Sequence, residues 1–248
     1  MSDKRPRMHE VVLAHIEAEL SVGRVSLGQR LPAERVLAEQ LGVSRASVRE
    51  AIRGLEAMGV VRTAVGSGPD AGAVIVADPG AALAGTLRLH LATNHLVVAD
   101  IVATRVLLES WAVRAAAVSS GGEAAGGPSR YADAERLLSE MDAAQLTPAE
   151  FHRLDAQFHV ELTRLSGNIV VAAMMAALRE SIQGYVLAAV RDLPDWTGTT
   201  QALRRQHRQI LGAIAAGAGA RAARLATEHI EGFHRSAGLA GDLHVMRH

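Results

Sequence analysis

Apolar residues recur at helical spacing through most of the chain, and the places where that recurrence stops divide it. Val48, Ala51, Ile52 and Leu55 fall three and four residues apart, the mark of a helix with one buried face. The pattern predicts a first helix from about Met8 to Leu20 and a second from about Pro32 to Leu41. A short turn, GVS, then leads into a third helix from Ser44, whose hydroxyl suits the N-cap. That succession has helix-turn-helix spacing. The segment TAVGSGPDAGAVIVADP, Gly-rich and β-branched, reads as two short strands around a turn. Beyond it strand patterns vanish. From Ala81 to about Gly238 the chain is Ala- and Leu-rich and breaks at SSGGEAAGGPS, at Thr147 and Pro148, at SGN, at DLPDWTG and at GAGA, which predicts six or seven helices. The expected fold is mainly α: residues 1–78 form three helices with a small β-wing, and residues 79–248 form an all-α helical bundle. No internal repeat or heptad pattern is present.

Composition narrows the chemistry. A chain of 248 residues with 49% apolar content can bury one large core or two modest ones. With no cysteine there is no disulfide and no thiolate metal site, so any metal must be held by carboxylates and by some of the eleven histidines. The charged start MSDKRPRMHE and the lack of a long apolar run argue against a signal peptide and a membrane span, and a cytoplasmic protein is expected. Basic and acidic residues balance at 26 each, so contact with nucleic acid would have to be local.

The third helix offers such a place. Arg45, Arg49 and Arg53 lie one turn apart beside its apolar face. The start of a recognition helix is where side chains reach base edges, and Arg45 and Arg49 are placed to take guanine O6 and N7. Ser44 and Ser47, with the backbone amides of the helix start, can hold a phosphate. The same arginines would also suit a solvated face partly paired with Glu50 and Glu56. Ser21 to Gly66 holds seven arginines and four glutamates, a modest net +3 that a dimer would double.

The run GQRLPAERVLAEQLGVSRASVREAIRGLEAMGVV, residues 28 to 61, resembles the DNA-binding signature of the GntR family of transcription regulators. The resemblance implies a winged helix-turn-helix that binds double-stranded operator DNA. Arg35, Arg45 and Arg49 would be its DNA-contacting arginines, Ser44 and Ser47 its hydroxyl contacts, and Gly66 the wing tip. Two departures stand out. Ala33 occupies a position where the family usually has serine, and GSGPDAGA is longer than the usual wing. Helix-turn-helix proteins gain affinity by presenting two modules to two half-sites, so a homodimer is expected, built through residues 79–248.

The helical region carries metal-type residues far apart in sequence: Asp155 and His159 in LDAQFHVEL, His207 in RRQHRQIL and His229 in ATEHIEG. Asp155 and His159 share a helix face beside Leu154, Phe158 and Leu162. By residue type alone His152, His234 and His244 are equal candidates, and a histidine beside an apolar face is commonly a hydrogen-bonded structural residue. Residues 83 to 237 resemble the FCD effector domain of the FadR-type GntR regulators, through TRVLLESWAVRAAA, LDAQFHVELTRLSGN, QHRQIL and EHI in order and spacing. That resemblance implies Asp155, His159, His207 and His229 as ligands of a divalent metal ion, zinc first, with nickel, cobalt or manganese as alternatives. It also implies that Arg105 faces the same cavity and can take the carboxylate of a small effector. Asn168 could donate nearby. The plainer roles are that Arg105 pairs with Glu109 and that Asn168 caps the next helix. Missing the usual Asp, GAGA suggests a different cap for the last helix. The expected function is a DNA-binding regulator, a repressor by the commoner pattern, controlled by a carboxylate at the metal. The alternatives are a regulator with a purely structural metal, or a metal-dependent enzyme.

Overall fold

The computed structural model describes residues 7–64, 72–76, 78–118, 129–143, 145–191, 193 and 195–238. They divide into two compact units, Met1–Ala82 and Leu83–His248.

In the first unit, α1 (Met8–Ser21), α2 (Glu34–Leu41) and α3 (Arg45–Ala57) precede an antiparallel pair, β1 (Val61–Ala64) and β2 (Gly72–Ile75). The strands pair Val61 with Ile75 and Thr63 with Ala73. The stretch before α2 adds to this sheet: Leu31 N donates to Ala73 O at 2.8 Å and Ile75 N to Gln29 O at 2.8 Å. That third rung has no alternating pattern to announce it in the sequence. One core joins Val12 and Ile16 of α1, Leu37 of α2, Val48, Ile52 and Leu55 of α3, and Val61 and Ile75 of the sheet. α2 begins two residues after Pro32, and its N-cap, Ala33, makes no side-chain cap bond. Gly42 ends it at φ 64, a left-handed conformation that turns the chain towards α3 without a Cβ penalty.

Eight helices follow among the described residues, against the six or seven expected: α4 (Pro79–Ala92), α5 (Val98–Val118), α6 (Ala132–Met141), α7 (Pro148–Arg164), α8 (Ile169–Ser181), α9 (Gln183–Arg191), α10 (Trp196–Ala215) and α11 (Gly219–Ser236). Two breaks account for the difference. Asn94 adopts φ 55 between α4 and α5, and the α8–α9 break at Ile182 contains neither proline nor glycine. The core of this unit is built from Val113 of α5, Leu137 and Met141 of α6, Phe151, Phe158 and Leu162 of α7, Ile210 and Ile214 of α10, and alanines of α11. α11 has no side-chain N-cap at Ala218, and the GAGA segment serves packing. A Cβ on Gly219 would sit 3.0 Å from the backbone oxygen of Arg114 on α5. No single helix among the described residues is long and apolar enough to cross a membrane.

Candidate functional site

α7 opens with a capping box. Thr147 accepts from Glu150 N at 3.3 Å, the Glu150 carboxylate accepts from Thr147 N at 2.8 Å, and Pro148 stands in the first turn. A helix fixed this way sets the phase of everything after it. His152, Asp155 and His159 fall on its buried face, while His207 on α10 and His229 on α11 approach from the other side.

The four expected ligands meet. His159 Nε2 and His229 Nε2 are 3.0 Å apart, His207 Nε2 and His229 Nε2 3.2 Å, and Asp155 Oδ1 lies 3.1 Å from His207 Nε2 and 3.5 Å from His159 Nε2. All four residues are buried, and their ligand atoms lie within 4.8 Å of one another. Donors bonded to one ion at about 2.0–2.2 Å stand at such separations. Tautomers decide what the cluster can hold. His159 Nδ1 donates to the Glu109 carboxylate, and His229 Nδ1 donates to Gln206 Oε1 at 2.8 Å. A neutral imidazole has one proton, so the Nε2 atoms of these rings present bare lone pairs to each other. Lone pairs at 3.0 Å repel unless a cation lies between them, and the donor set therefore fits a metal ion.

Charge states agree. Burial holds His207 below the ordinary histidine range and His229 well below it, the latter helped by the neighbouring imidazoles. Burial pushes Asp155 upward, but the Arg179 guanidinium and the His159 ring overcome it and leave its carboxyl well below the usual range. Asp155, His207 and His229 are thus deprotonated at neutral pH, the form that binds metal.

Beside the cluster lies a cavity of about 890 Å³, lined by Asp155 and His229 and by Arg105, Arg179, His152 and His234. Arg105 is buried. Its Nη2 is 3.8 Å from Glu109 Oε2, beyond hydrogen-bond reach, its Nη1 is 3.4 Å from His234 Nε2, and its Nε has no partner. Burial lowers its pKa to about 9, which leaves it a cation at neutral pH. Glu109 is lowered in spite of its burial, because the ring of His159 and the guanidinium of Arg105 stabilise its charge. Asn168 stays away from the cavity. It is exposed at the start of α8, where its Oδ1 accepts from Val171 N at 3.1 Å as an N-cap.

Sequence reading missed Arg179, which is hydrogen-bonded to Asp155, and Gln206, which orients His229. Arg179 had a signal: it is the first charge in the otherwise apolar run IVVAAMMAALRES.

In the first unit, Ser44 caps α3 by accepting from Ser47 N at 3.1 Å, and the two hydroxyls are 3.0 Å apart. Arg45 is exposed, Arg49 pairs with Glu34 at 3.0 Å, and Arg35 pairs with Glu39 at 2.8 Å. Exposed pairs of this kind contribute little, so these guanidinium groups can be drawn to phosphate or bases at small cost. Gly66 lies outside the described residues.

Residues 9–69 match the family described as bacterial regulatory proteins, gntR family, and residues 100–232 match the FCD domain. The chain belongs to the GntR family and carries an FCD domain. The GntR–FCD chain is 29% identical over 220 residues to the Glc operon transcriptional activator of Escherichia coli K12, covering 86% of this chain and 82% of that one. It is 29% identical over 199 residues to the HTH-type transcriptional repressor NanR of Cronobacter sakazakii, covering 77% and 69%. Its fold is that of Streptococcus agalactiae GntR, with a TM-score of 0.66 and 24% identity across 93% of this chain and all of that one. The family and these relatives are transcriptional regulators rather than enzymes, so the chain is a DNA-binding regulator.

Proposed function

We propose that this regulator's affinity for operator DNA is set by a small carboxylate effector bound at a divalent metal in the C-terminal unit. The observation that carries the reading is the facing Nε2 lone pairs of His159 and His229, with His207 Nε2 3.2 Å from the latter, beside a cavity containing the buried cation Arg105. Asp155, His159, His207 and His229 would hold the ion. Zinc is the first choice, and nickel, cobalt or manganese suit the same donors. When bound, the ion supplies positive charge that one aspartate only half neutralises. Glu109 and Gln206 fix the rings, Arg179 fixes Asp155, and Arg105 receives the carboxylate.

Residues 1–78 are assigned to DNA binding, with Arg45 and Arg49 at base edges and Arg35, Ser44 and Ser47 at phosphates. Residues 79–248 are assigned to effector binding and dimerisation. An exposed apolar stripe on α5, formed by Leu107, Trp111 and Val118, supports a homodimer. Operator release on effector binding, hence repression relieved, is the proposed direction. The effector achieves it by binding one of two DNA-binding states more tightly.

The test is an operator mobility shift of zinc-loaded protein with hydroxy-, keto- and dicarboxylic acids, repeated on Arg105→Ala. An operator affinity that no acid changes, or a wild-type response in Arg105→Ala, overturns the effector reading. A purely structural ion is the second reading, favoured by the fact that the protein itself supplies four buried donors. Calorimetry with carboxylates on loaded and stripped protein separates the two.

A further inference from the structure

Five buried side-chain polar atoms among the described residues have no hydrogen-bond partner: Arg105 Nε, Glu109 Oε2, His152 Nε2, His207 Nδ1 and His234 Nδ1. His207 belongs to the histidine cluster and Glu109 orients His159 within it. The other three atoms belong to Arg105, His152 and His234, and all three side chains line the same cavity. An unpaired buried polar atom destabilises by about 1–3 kcal/mol, so folded proteins tolerate a group of them chiefly where something else enters to pair them.

The chemistry of these atoms specifies the visitor. A guanidinium only donates, so His234 Nε2 accepts from Arg105 and its single proton sits on Nδ1. Burial and the nearby Arg105 hold His234 down at about 3, so the ring stays neutral. Arg105 Nε and His234 Nδ1 are therefore donors without acceptors. His152, neutral because burial lowers it, is clasped by Trp196 and Phe233 with ring centroids 5.4 and 5.5 Å away. Its orientation is fixed before anything binds.

Charge points the same way. The buried Arg105 and the partly buried Arg179 are matched by the buried Asp155 and Glu109. A divalent ion then leaves these four groups with two uncompensated positive charges, the acidic residues elsewhere on the cavity wall being paired with arginines near the surface. A monoanion neutralises only half of this, and a buried residual charge is unfavourable.

We propose that the effector is a dianion, a small dicarboxylic acid. One carboxylate goes to the Asp155, His159, His207 and His229 cluster, and the other to a pole formed by Arg105, His234 and His152. This rests on the metal and carboxylate reading above and adds the second anchoring point. Arg105 serves the far end of the ligand, and His152 and His234 are specificity-determining residues.

The test is calorimetry on the full-length, zinc-loaded protein with succinate and butyrate, which share a four-carbon chain and differ in the second carboxylate. Succinate is expected to bind at least about tenfold more tightly, the equivalent of one or two charge-assisted hydrogen bonds. His234→Ala and His152→Ala should each cut that preference about threefold or more, with zinc content unchanged. Equal binding of the two acids by wild type overturns the dianion, as does an unaltered preference in both variants. In that event butyrate binding leaves the carboxylate reading standing. Binding of neither acid removes both. If the variants fail to fold, judged by circular dichroism, the wild-type ratio decides alone.

Discussion

The carboxylate of Glu109 on α5 receives the Nδ1 proton of His159 on α7, across 50 residues of sequence, and so directs the His159 Nε2 lone pair at His229. Removing it should loosen the metal without dismantling the helices. Glu109→Ala is expected to weaken zinc binding about 10–100-fold, as loss of such outer partners does. Glu109→Gln, which keeps an acceptor oxygen, should lose less. Competition against a chromophoric chelator reads both values, and unchanged affinity in Glu109→Ala would show that the carboxylate does not orient the ring.

Metal removal has a thermal signature. Free zinc at 100 times its dissociation constant stabilises by about 2.7 kcal/mol, or roughly 5–11 °C for a domain of this size. Chelation should lower Tm by such an amount, and zinc should restore it. His159→Ala and His229→Ala should show no zinc-dependent rise. One equivalent of metal retained in both variants, by elemental analysis, would disprove the ligand set.

Acid should destabilise the metal-free protein. His234 titrates near 3 when folded against about 6.5 when unfolded, and His207 and His229 are shifted the same way. The unfolded chain therefore binds more protons over this interval. The stability is fully present above pH 6.5 and is lost as pH falls from 6.5 towards 3. Urea midpoints measured at intervals from pH 7.5 to 4.5 should fall, and less steeply in His234→Gln. A midpoint that rises on acidification contradicts the assignment.

On the DNA side, Arg45→Ala should weaken operator binding by about 1–3 kcal/mol and relax base preference at one position in each half-site. Ser44→Ala should weaken all sequences alike and destabilise the first unit by about 1 kcal/mol through loss of the α3 cap. Competition with operators carrying single base changes distinguishes the two effects. If Ser44→Ala alters base preference, Ser44 has been given the wrong role.

Asn168→Ala separates capping from ligand contact. With its Oδ1 on Val171 N, the substitution should lower stability by about 0.5–2 kcal/mol and leave carboxylate affinity as in wild type. A weakened carboxylate titration in a folded variant would restore Asn168 as a contact.

Much of this arrangement was legible from residue spacing. Ser44, Val48, Ile52 and Leu55 announce the recognition helix by cap and period, and Thr147 and Pro148 mark the start of α7. The four ligands were named through family resemblance, because spacing within one helix cannot tell which helices will meet. Tertiary features stayed hidden for the same reason. Gln206 sits next to His207 in sequence but serves His229 on another helix, and Arg179 reaches Asp155 from α8. The α8–α9 break escaped notice because Ile182 carries none of the usual punctuation. Arg105 and Glu109 have the spacing of an ion pair and form a long one at 3.8 Å, while their hydrogen bonds go to His234 and His159.

α5 is 21 residues long, about 31 Å, and its inner and outer faces carry different residues. Arg105 and Glu109 are buried on one side, while Leu107 and Trp111, two positions after each, are exposed on the other. A helix hydrogen-bonded along its length behaves as a stiff rod. A shift of the α5 backbone at Arg105 carries Trp111 with it, because the two lie less than two turns apart on one hydrogen-bonded helix.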